Sequence, residues 1–273
     1  RGLGRGRRRM KRLTSDKRML EYGLMKPYPN ISCFSTTRHG GCSEGAYASF
    51  SCTHYCGDLQ ENVEQNKRLL SSLLAQPPRA LVIPRQTHST NVRIVASIPE
   101  REELEDVDAL VTCEQGLCLC ISTADCIPVL LYDEKNQVIA AAHAGWRGTV
   151  GCIVGKTVET MKEYYGTDGK DVMACIGPGI SLEAFEVGDE VYAAFEEAGF
   201  DMNRIARKYE KWHLDLWEAN RIQLLEQGVK PERIETAGLC TYNHYEDFFS
   251  ARRLGIHSGR ILSGIMLHQM NGK

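Results

Sequence analysis

The sequence lacks any apolar run long enough to cross a membrane as a helix. No stretch of 18 or more apolar residues occurs among the 273 residues, and the N-terminus carries no secretory apolar segment. The C-terminal MNGK matches neither a prenylation nor a peroxisomal signal. With 42% hydrophobic and 25% charged residues, the composition is that of an ordinary globular protein. We therefore expect a globular protein with a sizeable core and no membrane span.

The eleven cysteines lack the even number and the regular spacing of a disulfide framework. Small secreted domains that depend on disulfides show both features. We therefore expect reduced cysteines in a cytoplasmic protein, most of them buried as small hydrophobic residues.

The chain has little net charge, −2 at pH 7, but that charge is unevenly distributed. Of the 33 Lys and Arg and the 35 Asp and Glu, residues 1–18 hold nine and one, which leaves 24 and 34 elsewhere. A Gly- and Arg-rich segment cannot build a core, so we predict a basic, disordered leader over 1–27 and a single catalytic domain over 28–273. Nucleic-acid binding or nuclear import by the leader is the alternative. The rest of the chain has no broad basic field, so a few local arginines must hold any anionic substrate.

Strand and helix patterns are mixed along the chain. Runs of β-branched and apolar residues predict strands, several of which follow one another directly. Apolar residues at helical spacing predict helices, the first capped by Asp58. This mixture favours an α+β fold with mixed sheets over a regular doubly wound fold. The predicted helices span 58–74, 148–166, 189–200 and 215–228, and the predicted strands include 108–112, 116–123, 128–133, 138–144 and the strand and turn at 171–180.

A predicted hairpin brings Cys126 towards His143. Two apolar runs, PVLLYD and VIAAAH, flank the polar turn EKNQ at 134–137. If Asp133 pairs with Val138 across this four-residue turn, Cys126 and His143 share one face of the hairpin, one diagonal step apart. Diagonal neighbours lie about 7 Å apart at the backbone, so a thiolate and an imidazole there can share one zinc ion. A three-residue turn would place them on opposite faces.

His88, in the polar stretch RQTHSTN between two apolar segments, is a candidate third ligand. His, Cys and His with an open fourth position is the pattern of a catalytic zinc site. The spacing leaves one alternative open, a core thiol at Cys126 with two solvated or structurally satisfied histidines.

Several blocks of the sequence resemble the YfiH-like family, long labelled multicopper polyphenol oxidase or laccase domain and associated with zinc-dependent purine nucleoside chemistry. TADC and HAGWRG are the most specific blocks, and the resemblance covers roughly residues 30–268. The blocks are STTRHGG, CGDLQENVEQNKRLL, RQTHSTNV, STADCIPVLLYD, VIAAAHAGWRGT, CIGPGISLEAFEVG, WHLDLWEANRIQLLEQGV and CTYNHYEDFFSARRLGIHSGR.

The resemblance implies layered mixed sheets with helices packed outside, and it implies that His88, Cys126 and His143 bind the metal, zinc rather than copper. It also implies phosphorolysis of adenosine, inosine, guanosine and 5′-methylthioadenosine, with inorganic phosphate as co-substrate, and deamination of adenosine to inosine. The resemblance also suggests a longer metazoan member, of which this chain would be the C-terminal catalytic part. Two departures bear on substrate preference: Ser51 stands where the family often has asparagine, and Ser89 where it often has glycine. We place Ser51 among the substrate-binding residues.

Two residues beside the predicted ligands are candidates for the chemistry itself. Asp125 precedes Cys126 and is predicted to carry a proton or to support a ligand, although it could instead shape the turn. Arg147, at the start of a predicted helix, is predicted to hold phosphate together with free backbone N–H groups. Trp146 could stack on a base or lie buried.

Further arginines could contribute to the phosphate site. Arg38 lies in the glycine-rich loop STTRHGGCSEG, and Arg252 or Arg253 is a third choice. Each could instead form a surface salt bridge.

Three other functions compete with nucleoside chemistry. A multicopper oxidase needs paired HxH motifs, and this sequence has eight histidines and no HxH. A cysteine hydrolase would use Cys126 as nucleophile and His143 as base. A non-enzymatic, zinc-stabilised module would bind a partner through the basic arm, with salt-sensitive binding and no turnover of nucleosides.

Overall fold

Two β-sheets packed face to face form the centre of the structure, a computed structural model that describes residues 13–270. The strands are, in chain order, β1 (Met19–Glu21), β2 (Ile31–Thr36), β3 (Ala80–Val82), β4 (Val92–Ile94), β5 (Ala109–Thr112), β6 (Leu117–Thr123), β7 (Ile127–Asp133), β8 (Val138–Ala144), β9 (Val172–Ile176), β10 (Glu186–Val187), β11 (Ala206–Lys208), β12 (Trp212–Leu214), β13 (Ile234–Thr236) and β14 (Ile261–Leu267). The helices are α1 (Gln60–Leu73), α2 (Trp146–Val150), α3 (Ile153–Tyr165), α4 (Asp189–Glu197), α5 (Met202–Ile205), α6 (Leu216–Glu226) and α7 (Ala251–Leu254). Short 3₁₀ helices lie at Gly23–Met25, Gly45–Tyr47, Arg101–Leu104, Gly169–Asp171 and Pro231–Arg233.

The two large sheets each combine parallel and antiparallel pairs. The five-stranded sheet has the order β1-β2-β14-β6-β3, in which only β3 and β6 are parallel. The six-stranded sheet has the order β13-β9-β7-β8-β5-β4, with parallel pairs at both edges. A small antiparallel sheet, β10-β12-β11, lies apart from them.

Alternation of side chains along the strands produces three apolar layers. The side chains of Leu119 and Ile265 from the five-stranded sheet meet Leu130 and Ile139 from the six-stranded sheet, and all are buried. Each such burial contributes about 1.5–3 kcal/mol. The outer face of the six-stranded sheet packs on α3 and α6, and that of the five-stranded sheet packs on α1. The predicted α+β fold with layered mixed sheets and outer helices is confirmed.

The predicted hairpin is confirmed in its register. β7 and β8 pair with Asp133 opposite Val138 and Pro128 opposite His143, across the turn at 134–137. His143 therefore lies on the same face as Leu130 and Tyr132, towards the other sheet, and Cys126 precedes β7 with the same parity. Both side chains lie at one end of the sandwich.

Part of the segment predicted as a leader over 1–27 lies in the folded structure. β1 pairs with β2 through Met19, Leu20 and Glu21, and Leu20 is fully buried in the core between the sheets. The segment MLEYGLM at 19–25 supplies the apolar side chains for this burial. The part of the predicted leader at 1–12 lies outside the described residues.

Two helix predictions also differ in detail. Asp58 does not cap α1, because its carboxylate accepts hydrogen bonds from the backbone N–H of Leu59 and the hydroxyl of Ser43. The helix predicted over 148–166 is two helices, α2 and α3, separated by Cys152 with a φ of 61°. The left-handed backbone at Cys152 ends one helix and redirects the next.

Within residues 13–270, no helix is both long and apolar enough to cross a membrane.

Candidate metal centre

The structure brings His88, Cys126 and His143 together at the end of the sandwich. One ligand atom of each lies within 4.8 Å of the others, and His88 Nε2 is 3.9 Å from Cys126 Sγ. The two imidazole rings are 4.9 Å apart between centroids and meet edge to face. His143 is buried, Cys126 is half-buried and His88 is exposed, so the cluster opens to solvent on the His88 side.

Asp108, just before β5, orients two of the three ligands. Its side chain is fully buried, and its Oδ2 accepts a hydrogen bond of 2.7 Å from His143 Nδ1. With Nδ1 held by Asp108, Nε2 faces the cluster, and once the ring loses its second proton Nε2 offers a lone pair to a metal. Burial alone would raise the pKa of Asp108, but the hydrogen bond and charge of His143 outweigh it and lower the pKa.

The same carboxylate fixes the loop that carries His88. The backbone N–H groups of Thr87, His88 and Ser89 donate to Asp108 at 3.1 Å each, and the Ser89 hydroxyl donates at 2.7 Å. His88 itself has a φ of 63°, which is uncommon for a residue with a side chain. Hydrogen bonds to the buried carboxylate of Asp108 hold the loop in this conformation. The same carboxylate binds His143, so it fixes the position of His88 relative to His143. Sequence reasoning missed Asp108, whose only signal was an acid at the start of a buried strand.

Gly145 provides the space in which the ligands approach each other. A Cβ at this position would lie 3.0 Å from Cys126 Sγ and 3.1 Å from His88 Cδ2. Any larger residue would therefore push on two of the three ligands at once.

The cysteine and the buried histidine form a charged pair. Burial alone would raise the pKa of the Cys126 thiol, but the charge of His143 and hydrogen bonds from both histidines lower it from 9.0 to about 6. Burial opposes the charged form of His143 as well, yet Cys126 and Asp108 raise its pKa from 6.5 to about 9. The thiolate, which is the form that binds metals, is therefore favoured at neutral pH.

This arrangement fits a zinc ion. Zinc bonds of about 2.0–2.3 Å to nitrogen and sulfur place tetrahedral donors about 3.5 Å apart, close to the 3.9 Å observed between Cys126 and His88. The donor set is one thiolate and two imidazoles, one of them backed by a carboxylate, and Gly145 leaves the interior free of a Cβ. Among residues 13–270, this trio is also the only such cluster of His, Cys, Asp and Glu.

Asp125 is turned towards a loop rather than left free. It is buried, and its carboxylate accepts hydrogen bonds from the Thr241 hydroxyl, the Ser250 hydroxyl and the backbone N–H of Arg252 at 2.7–3.0 Å. Its backbone φ is 105°, a strained value for a non-glycine residue. Burial raises its pKa, although these hydrogen bonds oppose the effect. The contacts favour a role in tying the 241–252 segment to the ligand Cys126.

Arg147 is the freest of the predicted phosphate residues. It is exposed, lies two residues beyond Gly145, and its guanidinium covers the Trp146 ring at 4.5 Å. It has no hydrogen bond or ion pair with another side chain of the described chain. Trp146 is half-buried against the core of the six-stranded sheet, with that ring face already covered. The predicted phosphate site combines the Arg147 guanidinium with free backbone N–H groups at the start of the helix. Because α2 has only five residues, its N-terminus is a weak site, and the guanidinium is the stronger predicted donor.

Two of the five N–H donors of Arg38 are engaged by the backbone. Nε donates to the Ala48 carbonyl at 2.9 Å and a terminal nitrogen donates to the Tyr245 carbonyl at 2.8 Å. The guanidinium also lies 5.0 Å from the centre of the Phe249 ring. These contacts fasten two loops together.

Arg252 and Arg253 are similarly occupied. Arg252 donates to the Glu186 carbonyl and stacks over Phe185, whereas Arg253 lies over the rings of Tyr242 and Tyr245. Neither reaches the trio through any contact of the described residues.

The structure places Ser51 away from solvent. Ser51 is fully buried, and its hydroxyl accepts a hydrogen bond from the backbone N–H of Arg260. This contact is a structural one, and the predicted substrate contact of Ser51 stays a prediction. The other departure, Ser89, instead donates to Asp108 and so supports the His88 loop.

Comparison with known proteins connects this geometry to a family. The sequence model of a family described as multi-copper polyphenol oxidoreductase laccase matches residues 32–268. A protein of Bacteroides thetaiotaomicron named purine nucleoside phosphorylase is 59% identical over 267 residues, which is 94% of this chain and 99% of the relative. A prokaryotic protein named adenosine deaminase RL5 is 40% identical over 250 residues, covering 88% of this chain and 95% of the relative.

Solved structures show the same architecture. The crystal structure of the hypothetical protein YfiH of Bacillus licheniformis has a TM-score of 0.86 at 27% identity, covering 93% of this chain and 97% of that one. These relatives are prokaryotic, so the predicted metazoan origin stays a prediction.

Proposed function

Because this chain belongs to the family described as multi-copper polyphenol oxidoreductase laccase, we propose that it is a purine nucleoside phosphorylase that also deaminates adenosine. The observation that carries the proposal is the convergence of His88, Cys126 and His143 on one point that is open to solvent. The names of the relatives are those of enzymes, which favours catalysis over a binding module.

We propose zinc as the metal held by the three residues. Two imidazoles and a thiolate with room for a fourth ligand are typical of catalytic zinc, whereas a multicopper cluster needs several such groups. When bound, zinc supplies Lewis acidity that makes a nucleophile available from water near neutral pH.

The protein's own residues prepare this site in three ways. Asp108 holds His143 with Nε2 towards the cluster and fixes the His88 loop in the same step. The charged pair with His143 keeps Cys126 as a thiolate. Asp125, with both carboxylate oxygens engaged, is a positioning residue that ties the 241–252 segment to the site.

Phosphorolysis also needs a phosphate placed beside the ribose. Arg147 supports this role, since it is exposed two residues beyond Gly145 and its guanidinium presents planar donors that suit an oxyanion. Arg38 contributes by fastening the 245 loop, since two of its donors are engaged by carbonyl groups.

One observation favours a second candidate, a cysteine hydrolase. The lowered pKa of Cys126 beside His143 is also what a nucleophilic thiol with a histidine base requires. His88 argues against this candidate, because a hydrolase needs no second imidazole at the thiol. Asp108 fits both candidates, since a carboxylate also orients the histidine base of a cysteine hydrolase. A chelator separates the two, since it removes zinc-dependent activity and spares a cysteine hydrolase.

We propose the finer assignments on the strength of the resemblance alone. They are turnover of inosine, guanosine and 5′-methylthioadenosine. We also propose a cytoplasmic location, which agrees with the free thiols of the eleven cysteines, all of which lie within residues 13–270.

The deciding experiment incubates zinc-loaded protein with adenosine, with and without phosphate. Free adenine that forms only with phosphate supports phosphorolysis, and inosine formed without phosphate supports deamination. In Arg147→Gln, loss of one charged hydrogen bond predicts a KM for phosphate raised by about 10- to 100-fold with deamination unchanged. If neither product forms from zinc-loaded protein, the proposal is wrong.

A further inference from the structure

A second concave site lies on the surface beyond the metal centre, with a cavity of about 150 Å³. Its apolar wall includes Leu81 and Ile83, from β3 and the residues that follow it. The remaining wall is strongly basic, and none of its residues is a predicted ligand or phosphate contact.

Three separate segments each bring one positive charge to this cavity. Lys67 comes from α1, Arg85 follows β3, and Arg101 begins the 3₁₀ helix at Arg101–Leu104. Against these three charges stands one acid in the lining, Glu105. Three cations that approach from three directions suit an anion with oxygens on several sides, which a flat carboxylate lacks.

The cations are weakly engaged by the protein itself. Arg85 lies 4.0 Å from Glu105 with both side chains about half exposed, a pair that contributes about 0–1 kcal/mol. Lys67 is 3.3 Å from Glu64, one helical turn away. Arg101 has no hydrogen bond or ion pair with its side chain anywhere in residues 13–270. Their donors are therefore available to a ligand.

His54 is the remaining polar group of the cavity, and it is surrounded by the same charges. Burial lowers its pKa, and Arg101 and Lys67 lower it further, while Glu105 opposes them by more than Arg85 adds. An imidazole kept neutral can still donate one N–H to an anion.

We propose that this cavity binds one tetrahedral oxyanion of the phosphate or sulfate class. A volume of 150 Å³ equals about five water molecules at 30 Å³ each, enough for such an ion. Pockets that enclose drug-sized ligands begin at about 300 Å³, so a whole nucleoside does not fit inside. The ligand is therefore an inorganic oxyanion or the terminal phosphate of a larger molecule that stays outside.

The site is physically linked to the metal centre without being part of it. Arg85 begins the loop that reaches His88, and Glu105 is followed by Asp106 and Asp108, which bind that loop. The inference concerns binding alone, so it does not depend on the reaction proposed above.

The test is calorimetric titration of sulfate, which cannot replace phosphate in phosphorolysis, into the Arg147→Gln variant. Because this variant lacks the proposed catalytic phosphate contact, the heat of sulfate binding reports the cavity. We expect one sulfate per chain, competed by inorganic phosphate and weakened about 10-fold or more by adding Arg101→Gln. Arg93→Gln, whose side chain pairs with Glu103 outside the cavity, is the matched control and should leave binding unchanged. Adenosine monophosphate, as a second arm, competes with sulfate only if the cavity also accepts a terminal phosphate.

Two results would overturn the inference. One is sulfate binding of equal strength in the Arg101→Gln and Arg93→Gln variants. The other is an equal heat with acetate at matched ionic strength, which would reveal a general salt effect. Because Lys67→Gln removes a different cation from the same cavity, it must weaken sulfate as well.

Discussion

Cys126 and Cys120 lie six residues apart in the sequence but in opposite chemical surroundings. Cys120 is fully buried on the outer face of β6, beneath α1, with Cys118 Sγ at 3.7 Å. Burial raises its pKa well above the usual value, and the neighbouring thiol adds to that effect. At Cys126 the same burial effect is outweighed by His143 and His88.

The difference teaches that the position within the sandwich decides the chemistry of a thiol. On a sheet face the neighbours are apolar side chains, whereas at the sheet end loops can bring histidines and an anion such as Asp108. A cysteine becomes a metal ligand only where such loops converge.

Replacement of each thiol by serine tests this comparison with the largest expected effect. Cys126→Ser should lower zinc affinity by more than the 10–100-fold typical of substitutions behind a ligand, because it removes a ligand outright. Cys120→Ser should retain zinc and turnover, while burial of a hydroxyl lowers the free energy of unfolding by about 1–3 kcal/mol. Metal analysis and urea unfolding measure the two effects, and zinc lost equally from both variants would contradict the comparison.

Alkylation of the metal-free protein sharpens the comparison at the level of single thiols. Cys126 is half-buried and should react with iodoacetamide, as should the exposed Cys113 and Cys152, whereas Cys120 needs local opening. An opening free energy of about 4 kcal/mol slows Cys120 on the order of 1,000-fold. Peptide mass spectrometry reports each site, and zinc should protect Cys126 alone. Protection of Cys113 to the same degree would place the metal elsewhere.

Substitution of Asp108 asks whether the loop and strand need their shared anion. Asp108→Asn puts an amide N–H₂ against at least one donor among His143, His88 and Ser89, so zinc affinity should fall by about 10- to 100-fold. Asp106→Asn is the matched control, since Asp106 is exposed and contacts the loop without touching His143. Competition with a chelator of known affinity measures both variants, and equal losses would deny Asp108 its special role.

The smallest expected effect comes from adding one methyl group. Gly145→Ala brings a Cβ to 3.0 Å from Cys126 Sγ, so the ligands must shift by a few tenths of an ångström and zinc affinity should fall by about 10-fold. In Gly155→Ala, within α3, the nearest neighbour lies at 3.6 Å, and the helix should gain up to about 1 kcal/mol in stability with zinc binding unchanged. Identical zinc affinity in the two variants would show that the site has room to spare.

Sequence patterns predicted the parts of the fold that depend on residues close together in the chain, such as hairpins. The four-residue turn at 134–137 fixed the register that aligns Cys126 with His143, and the resemblance to the YfiH-like family is confirmed. The strand at Met19–Glu21, inside the predicted leader, was not predicted, because the apolar segment at 19–25 is too short to show periodicity.

The candidate site was harder to predict, because its support comes from distant segments. Asp108 acts across 20 and 35 residues on His88 and His143, and no spacing rule connects an acid before a strand to either histidine. The burial of Ser51 was not predicted, because a departure from a family pattern says nothing about burial.

Titration of zinc into metal-free protein, with adenosine turnover followed in the presence of phosphate, tests the central claim most directly. We predict that activity is absent without metal, rises in proportion to added zinc, and stops rising at one zinc per chain. Full turnover in the metal-free protein, or activity that ignores bound zinc, would contradict a catalytic site built on His88, Cys126 and His143.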